Sequence, residues 1–425
     1  MDRRQGPFVE GRHFCGTSMQ VVALDQVGRA KSGRMTKQVL IAGGGIGGLV
    51  AALACSRAGW GVRVFERAAE FNEVGAGIQL GPNVVRVLHG LGLEAGLARV
   101  AAFPERLQVR SAMSGAELGA LRLGERSVRL YGAPYATIHR ADMHGLLADA
   151  VRRQGNVRLS LGSWVANYTQ SAQTVTLTTT DDLEVEGDVL IGADGLWSRV
   201  RELMLNDGPP RVPGHLAYRA MVPQHCLPER LRSKCVTAWL GPRMHVVQYP
   251  VRGGEWLNVV AIVQGALEGD LQSWDHGANA ADLRSALSAV CSPLKDLVGA
   301  IPDWRLWVLC DRPPMQGAWQ QAQGLVALLG DAAHPMRPYL AQGAGMAIED
   351  ADVLARSLGM DALDLSERLQ RYALNRWQRC ARVQARSIRN GEIFHADGLK
   401  RWGRDLAIRA MGERLLDIPW LYRGA

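Results

Sequence analysis

Residues 38–55, "QVLIAGGGIGGLVAALAC", decide the fold of this chain. A short apolar run leads into a G-x-G-x-x-G pattern, and a helix-forming stretch follows at once. Gly43 permits a tight turn, Gly45 lets the backbone approach a pyrophosphate, and Gly48 lets the helix pack on the strand, with Gly47 inside the same turn. The segment therefore predicts a strand, a glycine-rich turn and a helix whose N-terminus can bind phosphate.

The run that follows, "GVRVFER", predicts the second strand of a βαβ unit. Glu66 ends this strand eighteen residues after Gly48, where a carboxylate can accept hydrogen bonds from a ribose. The unit predicts a dinucleotide-binding domain without distinguishing FAD from NAD, and a glycine-rich turn with no ligand is the alternative.

Composition and charge limit the classes of function. The chain has 425 residues, of which 47% are hydrophobic, so two or three domains are expected. The net charge is +8, but the basic residues form no run of five, which argues against nucleic acid as a partner. The seven cysteines are odd in number and form no C-x-x-C pair, which is typical of reduced thiols in a cytoplasmic protein.

The N-terminal residues raise the question of targeting. Residues 1–34 begin with basic residues but lack the apolar core of a signal peptide, so we interpret them as a disordered tail. Met35 is an alternative start of the protein. Residues 39–55 are the one stretch that resembles a membrane span, but they are short and rich in glycine, so we expect no membrane partner.

Patterns of strands and helices divide the rest of the chain. Residues 35–211 and 313–365 alternate strand and helix, which predicts an α/β, Rossmann-like domain. Residues 212–312 contain alternating apolar stretches such as "MHVVQYPV" and one predicted helix over 280–301, so we expect a second domain with an antiparallel sheet. Residues 366–425 predict a C-terminal helical segment.

Two further buried runs end in a carboxylate. "DVLIGADG" contains Asp194 and "LLGDAAHP" contains Asp331, each next to a glycine. A strand-end carboxylate beside a flexible residue suits the hydroxyls of a second sugar or of a ribityl chain. Because NAD-binding folds with one fingerprint rarely need such groups, these motifs favour FAD.

With "HRADMHGLL" and its Arg140, these motifs resemble, in order and spacing, the FAD-dependent aromatic hydroxylases. These single-component flavoprotein monooxygenases include hydroxybenzoate and salicylate hydroxylases, and the resemblance covers residues 39–358. It implies that the fingerprint and Glu66 hold the adenosine end of FAD and that Arg140 contacts FAD. Asp194 would serve FAD and the nicotinamide cofactor, and Asp331 would bind the ribityl side.

The resemblance also implies the reaction partners. These are FAD, NAD(P)H with NADH favoured, O2 and a small aromatic acid, in a monomer or homodimer. Arg67 and Val165 are further candidates for contact with FAD. The sequence indicates no metal site.

Residues 328–351, "LLGDAAHPMRPYLAQGAGMAIEDA", gain roles from the resemblance. Pro335 would lie near the isoalloxazine, and backbone N–H groups would meet its pyrimidine edge from Gly343, Ala344 and Gly345. That edge gains negative charge on reduction, so a helix N-terminus there favours reduction. His334 has no partner in sequence, and we interpret it as structural.

Residues 73–83, "EVGAGIQLGPN", resemble the family segment that passes the opposite side of the flavin. Gly75 and Gly77 permit close approach of the ring. Gln79 stands where a related hydroxynicotinate hydroxylase has histidine, which counts against that substrate.

A candidate base lies in the second domain. His245 and Tyr249 are four residues apart on a predicted strand, so they share a face. The pair resembles that of 3-hydroxybenzoate 6-hydroxylase-like sequences, which implies that the histidine assists phenol deprotonation and the tyrosine orients the ring. A histidine with a pKa around 6.5 can take that proton near neutral pH. The alternative is a histidine and a tyrosine satisfied by their neighbours.

Other substrate contacts stay open. Arg219 or Arg243 can meet a substrate carboxylate bidentately, although a surface position is common for arginine. The hydroxybenzoate 6-hydroxylase pattern has a substrate-contacting glutamine where this chain has Pro338, and proline offers no side-chain donor. His215 has no partner that spacing reveals.

We therefore expect an FAD monooxygenase that hydroxylates a phenolic aromatic acid of the hydroxybenzoate or salicylate type. The resemblance implies NAD(P)H as reductant and oxygen transfer through a flavin C4a-hydroperoxide. One alternative is an FAD-dependent epoxidase, halogenase or other flavin monooxygenase with a different substrate. Another is a non-catalytic FAD-fold binding protein.

Overall fold

The computed structural model describes residues 37–71, 76–265 and 279–424. The predicted tail over residues 1–34 and the predicted ring contact at Gly75 lie outside the described residues. The strands are β1 Gln38–Ala42, β2 Gly61–Glu66, β3 Gly77–Leu80, β4 Arg106–Ser111, β5 Glu117–Arg122, β6 Ala136–His139, β7 Val157–Leu161, β8 Val165–Gln170, β9 Val175–Thr179, β10 Glu184–Gly187, β11 Val189–Gly192, β12 His215–Pro223, β13 Val236–Gly241, β14 Met244–Val251, β15 Trp256–Gln264, β16 Arg305–Val308, β17 Ala322–Gln323 and β18 Val326–Leu328. The helices are α1 Ile46–Arg57, α2 Pro82–Gly90, α3 Glu94–Val100, α4 Gly124–Tyr131, α5 Arg140–Arg152, α6 Arg199–Leu205, α7 Ala280–Ala286, α8 Ser292–Gly299, α9 Gly343–Leu358, α10 Leu365–Phe394, α11 Gly398–Met411, α12 Glu413–Leu416 and α13 Pro419–Tyr422.

A six-stranded sheet with the order β17-β18-β11-β1-β2-β7 carries the glycine-rich fingerprint. β1 is buried and pairs in parallel with β2 and β11, and α1 connects β1 to β2. Gly43 has a φ of 104°, and a Cβ there would lie 2.3 Å from the carbonyl oxygen of Ala193. A Cβ at Gly48 would lie 2.0 Å from the oxygen of Gly43, so the turn needs glycine at both positions. The predicted α/β, Rossmann-like fold is confirmed.

The parallel strands bring the separate motifs to one edge of this sheet. β1, β11 and β18 are consecutive in the sheet, and β11 pairs in parallel with both of its neighbours. Their carboxyl ends therefore lie side by side, followed by Gly43, Asp194 and Asp331 respectively. This edge is where open α/β sheets bind their ligands.

The second sheet has seven strands in the order β16-β12-β15-β14-β13-β4-β5. Its pairs are antiparallel except for β13 with β4, which is parallel. β4 and β5 lie within residues 35–211, so a boundary at 212 does not capture the whole sheet. The single helix predicted over 280–301 is wrong, because α7 and α8 are separate there, with Pro293 in the first turn of α8. Proline is tolerated at a helix start but not in its interior.

Long C-terminal helices connect the two sheets. α10 has 30 residues, begins with a capping box made by Asp364 and Glu367, packs on α9, and ends at the second sheet, where His395 follows its last turn. α9 in turn packs on α1. Within the described ranges, none of the helices combines the length and apolar character that a membrane crossing requires.

Candidate functional site

A cavity of about 290 Å³ lies between the carboxyl edge of the six-stranded sheet and the face of the seven-stranded sheet. Nine of the predicted site residues line it, namely Gly45, Gly47, Gln79, Arg140, Asp331, Gly343, Ala344, His245 and Tyr249. Eight others do not, namely Gly43, Gly48, Glu66, Arg67, Val165, Asp194, Pro335 and Gly345. The cavity therefore brings predicted FAD-binding residues together with the predicted catalytic pair His245 and Tyr249.

The glycine-rich turn opens one end of a helix to the cavity. Gly45 is the N-cap of α1, and no side chain caps this helix or places an acid in its first turn. A Cβ on Gly45 would meet nothing within 4 Å, so the space above the turn is open. The uncapped N–H groups and the helix dipole suit this end of α1 to a negatively charged group such as a phosphate.

A second uncapped helix start faces the same cavity. Gln342 is the N-cap of α9 without a side-chain hydrogen bond to it, and the first turn contains no acid. Gly343 and Ala344 line the cavity, whereas a Cβ on Gly345 would lie 2.8 Å from the Gln342 side chain, so this residue faces inward. The positive end of α9 is thus available to a group that is, or becomes, negatively charged.

The acid of the second strand supports the fingerprint turn. Glu66 Oε2 accepts a hydrogen bond from Gly44 N at 2.7 Å, and Oε1 accepts one from Ala68 N at 2.9 Å. A carboxylate has further lone pairs, so the predicted acceptance from a ribose is compatible with these contacts. The loop before Val165 lies beside Glu66, since Ser163 N donates to the Glu66 carbonyl at 2.8 Å.

Arg67 and Val165 lie on this outer side of the turn. Arg67 is exposed, and its guanidinium is 5.8 Å from the ring centroid of Trp164. Val165 is buried at the start of β8. Neither reaches the cavity, so any contact with a cofactor would be at its end near Glu66.

The other two strand-end acids differ in what they bind. Asp194 binds the start of α6, whose N-cap is Ser198, because its Oδ2 accepts from Arg199 N at 2.8 Å and from Val200 N at 3.1 Å. Asp331 faces the cavity and is exposed to it. Burial raises the pKa of Asp194, and the protein atoms around the cavity raise that of Asp331. Because both oxygens of Asp194 already accept protein hydrogen bonds, only Asp331 is open to a hydroxyl donor in the cavity.

The loop after Asp331 lines the cavity through Met336 and Pro338. Pro335 itself is buried, and its carbonyl accepts a hydrogen bond from Gln384 Nε2 at 3.2 Å. This tie from α10 fixes the backbone of the loop beside the start of α9.

On the opposite wall, Tyr249 positions β3, whose residues Gly77 and Gln79 line the cavity. Its hydroxyl donates to the Gly77 carbonyl at 2.7 Å, and Gly77 N donates to Asn258 Oδ1 at 2.7 Å. A Cβ on Gly77 would lie 2.6 Å from the Tyr249 ring, so glycine is required there. Gln79, two residues on, accepts from the hydroxyl of Tyr135 at 2.7 Å. Burial raises the pKa of Tyr249, so its hydroxyl stays protonated and can donate.

His245 has a partner that sequence reasoning missed. Its Nδ1 lies 2.8 Å from Nε2 of His395, and both rings are buried. Burial, with smaller contributions from His395 and His215, lowers the pKa of His245 well below 6.5. The expected pKa near 6.5 is therefore wrong for His245. The ring is neutral at neutral pH and carries one lone pair.

Sequence spacing gave no signal for this cluster. His215, which had no partner in sequence, accepts through Nδ1 from the Tyr339 hydroxyl or donates to it at 2.9 Å. The rings of His245 and Tyr339 are 5.0 Å apart between centroids. His395 lies 150 residues from His245 and joins it only because α10 ends beside β14.

The two candidate arginines have different surroundings. Arg219 is on β12, lines the cavity, and stacks its guanidinium 4.8 Å from the ring centroid of Trp307. Among residues 37–71, 76–265 and 279–424, none accepts a hydrogen bond from its buried Nε. Arg243 is exposed in the turn between β13 and β14, and its backbone N–H donates to the His395 carbonyl at 2.9 Å. Only Arg219 of the two can reach a ligand in the cavity.

A separate buried cluster supports the loop of Asp331. His334 Nε2 is 2.6 Å from Asp350 Oδ2, and Arg376 Nε donates to Asp350 Oδ1 at 2.7 Å. His334, Asp350 and Cys380 place metal-ligand atoms close together, but the Arg376 guanidinium lies among them and contacts both Asp350 and Cys380. The positive charge opposite Asp350 is thus supplied by His334 and Arg376. None of these residues lines the cavity.

Comparison with known proteins gives consistent matches. A family described as FAD binding domain matches residues 36–213 and 312–387. The chain is 40% identical over 366 residues to 3-hydroxybenzoate 6-hydroxylase 1 of Aquipseudomonas alcaligenes, covering 86% of this chain and 91% of the relative.

Solved structures show the same fold. Klebsiella pneumoniae HpxO, complexed with FAD and uric acid, is similar with a TM-score of 0.79 and 25% identity, covering 89% of this chain and 94% of that one. A substrate complex of salicylate hydroxylase is similar with a TM-score of 0.75 and 27% identity, covering 91% of this chain and 97% of that one.

Proposed function

This chain belongs to the FAD-binding-domain family as an FAD-dependent aromatic hydroxylase, and we propose that its substrate is a phenolic aromatic acid of the hydroxybenzoate or salicylate type. NAD(P)H, with NADH favoured, would supply the electrons and O2 the oxygen. The observation that carries the proposal is that one cavity has the glycine-rich turn at the start of α1 and the start of α9 on one wall and His245 with Arg219 on the other.

The residues of the first wall fit FAD. The open space above Gly45 would accommodate a diphosphate, and Glu66, beside the turn, would accept from the adenosine ribose. Asp331, which lines the cavity, would accept from the ribityl hydroxyls. The start of α9 would meet the pyrimidine edge through Gly343 and Ala344. When bound, FAD supplies the electron-accepting and oxygen-transferring chemistry of the reaction.

The second wall supports a phenolic substrate. His245 is neutral and buried, so its ring has a lone pair for the proton of a phenol held in the cavity. The negative phenolate that forms beside it would offset the lowering of its pKa by burial. Removing that proton makes the aromatic ring of the substrate electron-rich, and an electron-rich ring reacts faster with electrophilic oxygen. The Tyr249 hydroxyl donates a hydrogen bond to the Gly77 carbonyl, so Tyr249 would act by holding β3 in place beside the flavin ring.

Arg219 supports a negatively charged substrate. It is a half-buried cation at the cavity, and the loss of hydration around it lowers its pKa from the ordinary value. A carboxylate that accepted its free Nε–H would form a charge-assisted hydrogen bond, worth about 1.5–3 kcal/mol. Pro338 also lines the cavity, at the position where the hydroxybenzoate 6-hydroxylase pattern has a substrate-contacting glutamine. Because proline offers no side-chain donor, this chain would bind that part of the substrate through other residues.

A substrate panel tests the proposed function. The purified holoenzyme is mixed with NADH or NADPH and with salicylate, 3- and 4-hydroxybenzoate, 3-amino-4-hydroxybenzoate or 6-hydroxynicotinate, and products are identified by mass. We expect reduced nicotinamide to be consumed and one oxygen atom to be added to at least one benzoate. Consumption without a hydroxylated product from any phenolic acid would contradict the proposal.

The substitution Arg219→Gln tests the carboxylate contact. We expect kcat/KM for the best acid to fall roughly 10- to 100-fold, because a charge-assisted hydrogen bond is lost. The same phenol without its carboxylate should react equally with both enzymes, and Arg243→Gln, at the exposed arginine, is the matched control. If Arg219→Gln slows both phenols alike, Arg219 acts on the cofactor and not on the carboxylate.

A further inference from the structure

Four ring side chains from distant segments form one buried cluster behind the cavity. His245 is on β14, His215 on β12, Tyr339 in the loop before α9, and His395 just beyond α10. The His245 and His395 rings are 5.1 Å apart between centroids, and the His215 and His395 rings are 5.0 Å apart. Of the four, His245 alone lines the cavity, so the others reach a ligand only through it.

The bond between His245 and His395 decides which ring nitrogen of His245 can act as a base. A neutral imidazole carries its proton on one nitrogen and a lone pair on the other. If Nδ1 of His245 donates to Nε2 of His395, the lone pair of His245 is on Nε2, the atom not engaged by His395. In the opposite tautomer, His395 donates and Nε2 of His245 carries a proton, so it cannot accept another. The state of His395 therefore controls the basicity of Nε2 of His245.

We propose that His395 is a positioning residue that accepts the Nδ1 proton of His245 and so holds Nε2 of His245 ready to take the phenol proton. The proposal rests on the proposed function, because it presumes a phenolic substrate. In the step itself, the substrate O–H bond breaks and a bond forms between that proton and Nε2 of His245. The products are a phenolate and an imidazolium whose Nδ1–H still donates to His395.

The surroundings favour a neutral His395, whose Nδ1 is buried and has no hydrogen-bond partner among the described residues. Burial is the largest influence and lowers the pKa of His395 to about 3, with further lowering by His215, Arg337 and Arg404. Asp311 binds Arg337 at 2.6 Å. The positive charges thus disfavour an imidazolium at His395, which would have no lone pair on Nε2.

The two substitutions His395→Gln and His395→Phe test this role. The glutamine side chain can place its oxygen where Nε2 of His395 lies, whereas phenylalanine fills the space without an acceptor. Each holoenzyme is titrated from pH 5 to 9 with the best phenolic acid of the panel, following the phenolate band of the bound substrate and the rate of hydroxylation. FAD content per chain is measured for every variant, and His225→Gln, at an exposed histidine, is the control.

We expect His395→Phe to raise the apparent pKa of the bound phenol by at least about one unit and to slow hydroxylation at least tenfold near pH 7. His395→Gln should restore both to within about threefold of the wild type. Equal behaviour of His395→Phe and wild type would overturn the proposal, and so would equal impairment of both variants, since packing and not the acceptor atom would then matter. A wild type that binds no phenolic acid would instead overturn the proposed function, and this inference with it.

A measurement on the wild type keeps the proposal testable if a variant does not fold. In the holoenzyme labelled with 15N-histidine and bound to the phenolic acid, the ring nitrogen shifts report which nitrogen of His245 is protonated. We expect a proton on Nδ1 of His245 shared with Nε2 of His395. A proton found on Nε2 of His395 and donated to His245 would overturn the assignment.

Discussion

The two buried histidines His334 and His245 differ chiefly in their partner. His334 lies 2.6 Å from the Asp350 carboxylate, whereas His245 lies 2.8 Å from another imidazole. Burial lowers the pKa of both, but for His334 the contacts with Cys380 and with the Asp350 carboxylate outweigh burial and hold its pKa well above 6.5. For His245, burial and the neighbouring His395 and His215 all lower the pKa, which is well below 6.5.

This difference separates a structural cation from a chemical base. An imidazolium bound to Asp350 has no lone pair to offer and serves to hold the loop of Asp331 against α9 and α10. A neutral imidazole bound to His395 keeps a lone pair beside the cavity. The partner of a buried histidine, more than its depth, decides what the histidine can do.

The largest expected effect concerns the ionic cluster. Asp350→Asn leaves the buried charges of Arg376 and His334 without their shared carboxylate, which should cost about 3–5 kcal/mol of the free energy of unfolding. Denaturant unfolding of the FAD-saturated protein measures it. Asp352→Asn is the matched control on the same helix, since Asp352 pairs with Arg356 at the surface and contributes at most about 1 kcal/mol. Equal losses of unfolding free energy in the two variants would show that Asp350 does not stabilise the buried charges of His334 and Arg376.

The histidine cluster should make the protein sensitive to acid. The pKa values of His245 and His395 are lower in the folded chain than in the unfolded chain, so below about pH 6.5 the unfolded chain binds more protons. Stability from these two groups is present above that pH and is lost as the pH falls. Between pH 6.5 and 5 we expect a loss of about 3 kcal/mol from the pair, and His395→Gln should remove roughly half of it.

That acid loss is measured as the difference in unfolding free energy between pH 6.5 and 5, in urea and with excess FAD. His225→Gln, at an exposed histidine, should leave the difference unchanged. A difference as large in His395→Gln as in the wild type would mean that His395 is protonated in the folded protein.

The stability contributed by His334 should change with pH in the opposite direction to that of His245 and His395, and this is the smallest of the expected effects on stability. Its folded pKa is raised, so its stabilising contribution is fully present below the unfolded value of about 6.5 and is lost as the pH rises through the folded pKa. Between pH 6.5 and 7.5 we expect the wild type to lose about 1 kcal/mol through this group. His334→Gln should abolish that slope, and an unchanged slope would assign it to another residue.

The sequence predicts the first wall of the cavity, which we propose for FAD, better than the second wall, which we propose for the substrate. The turn from Gly43 to Gly48 is a local feature, in which backbone geometry demands glycine at fixed spacing. Asp331 and Gly343, which line the cavity, were predicted in the same way, because strand ends and helix starts leave local patterns. Even so, spacing did not show that Asp194 accepts hydrogen bonds from the start of α6 or that Pro335 is buried and does not line the cavity.

The substrate wall depends on contacts between distant segments. His395 meets His245 through a separation of 150 residues, and Tyr339 meets His215 through 124. No local periodicity encodes such pairs. The expectation of an ordinary pKa for His245 was wrong for the same reason, since that pKa depends on burial and on neighbours that the sequence does not reveal. The entry of β4 and β5 into the second sheet is likewise a long-range pairing.

The central claim is that a neutral His245 accepts the proton of a phenolic acid in an FAD-dependent hydroxylase. Comparing His245→Gln with the wild type, by the amount of hydroxylated product formed per NADH oxidised and per second, tests it most directly. We predict that the variant binds FAD normally and forms product at least about 100-fold more slowly near pH 7. Hydroxylation by the variant at the wild-type rate and with the same yield per NADH would contradict the claim.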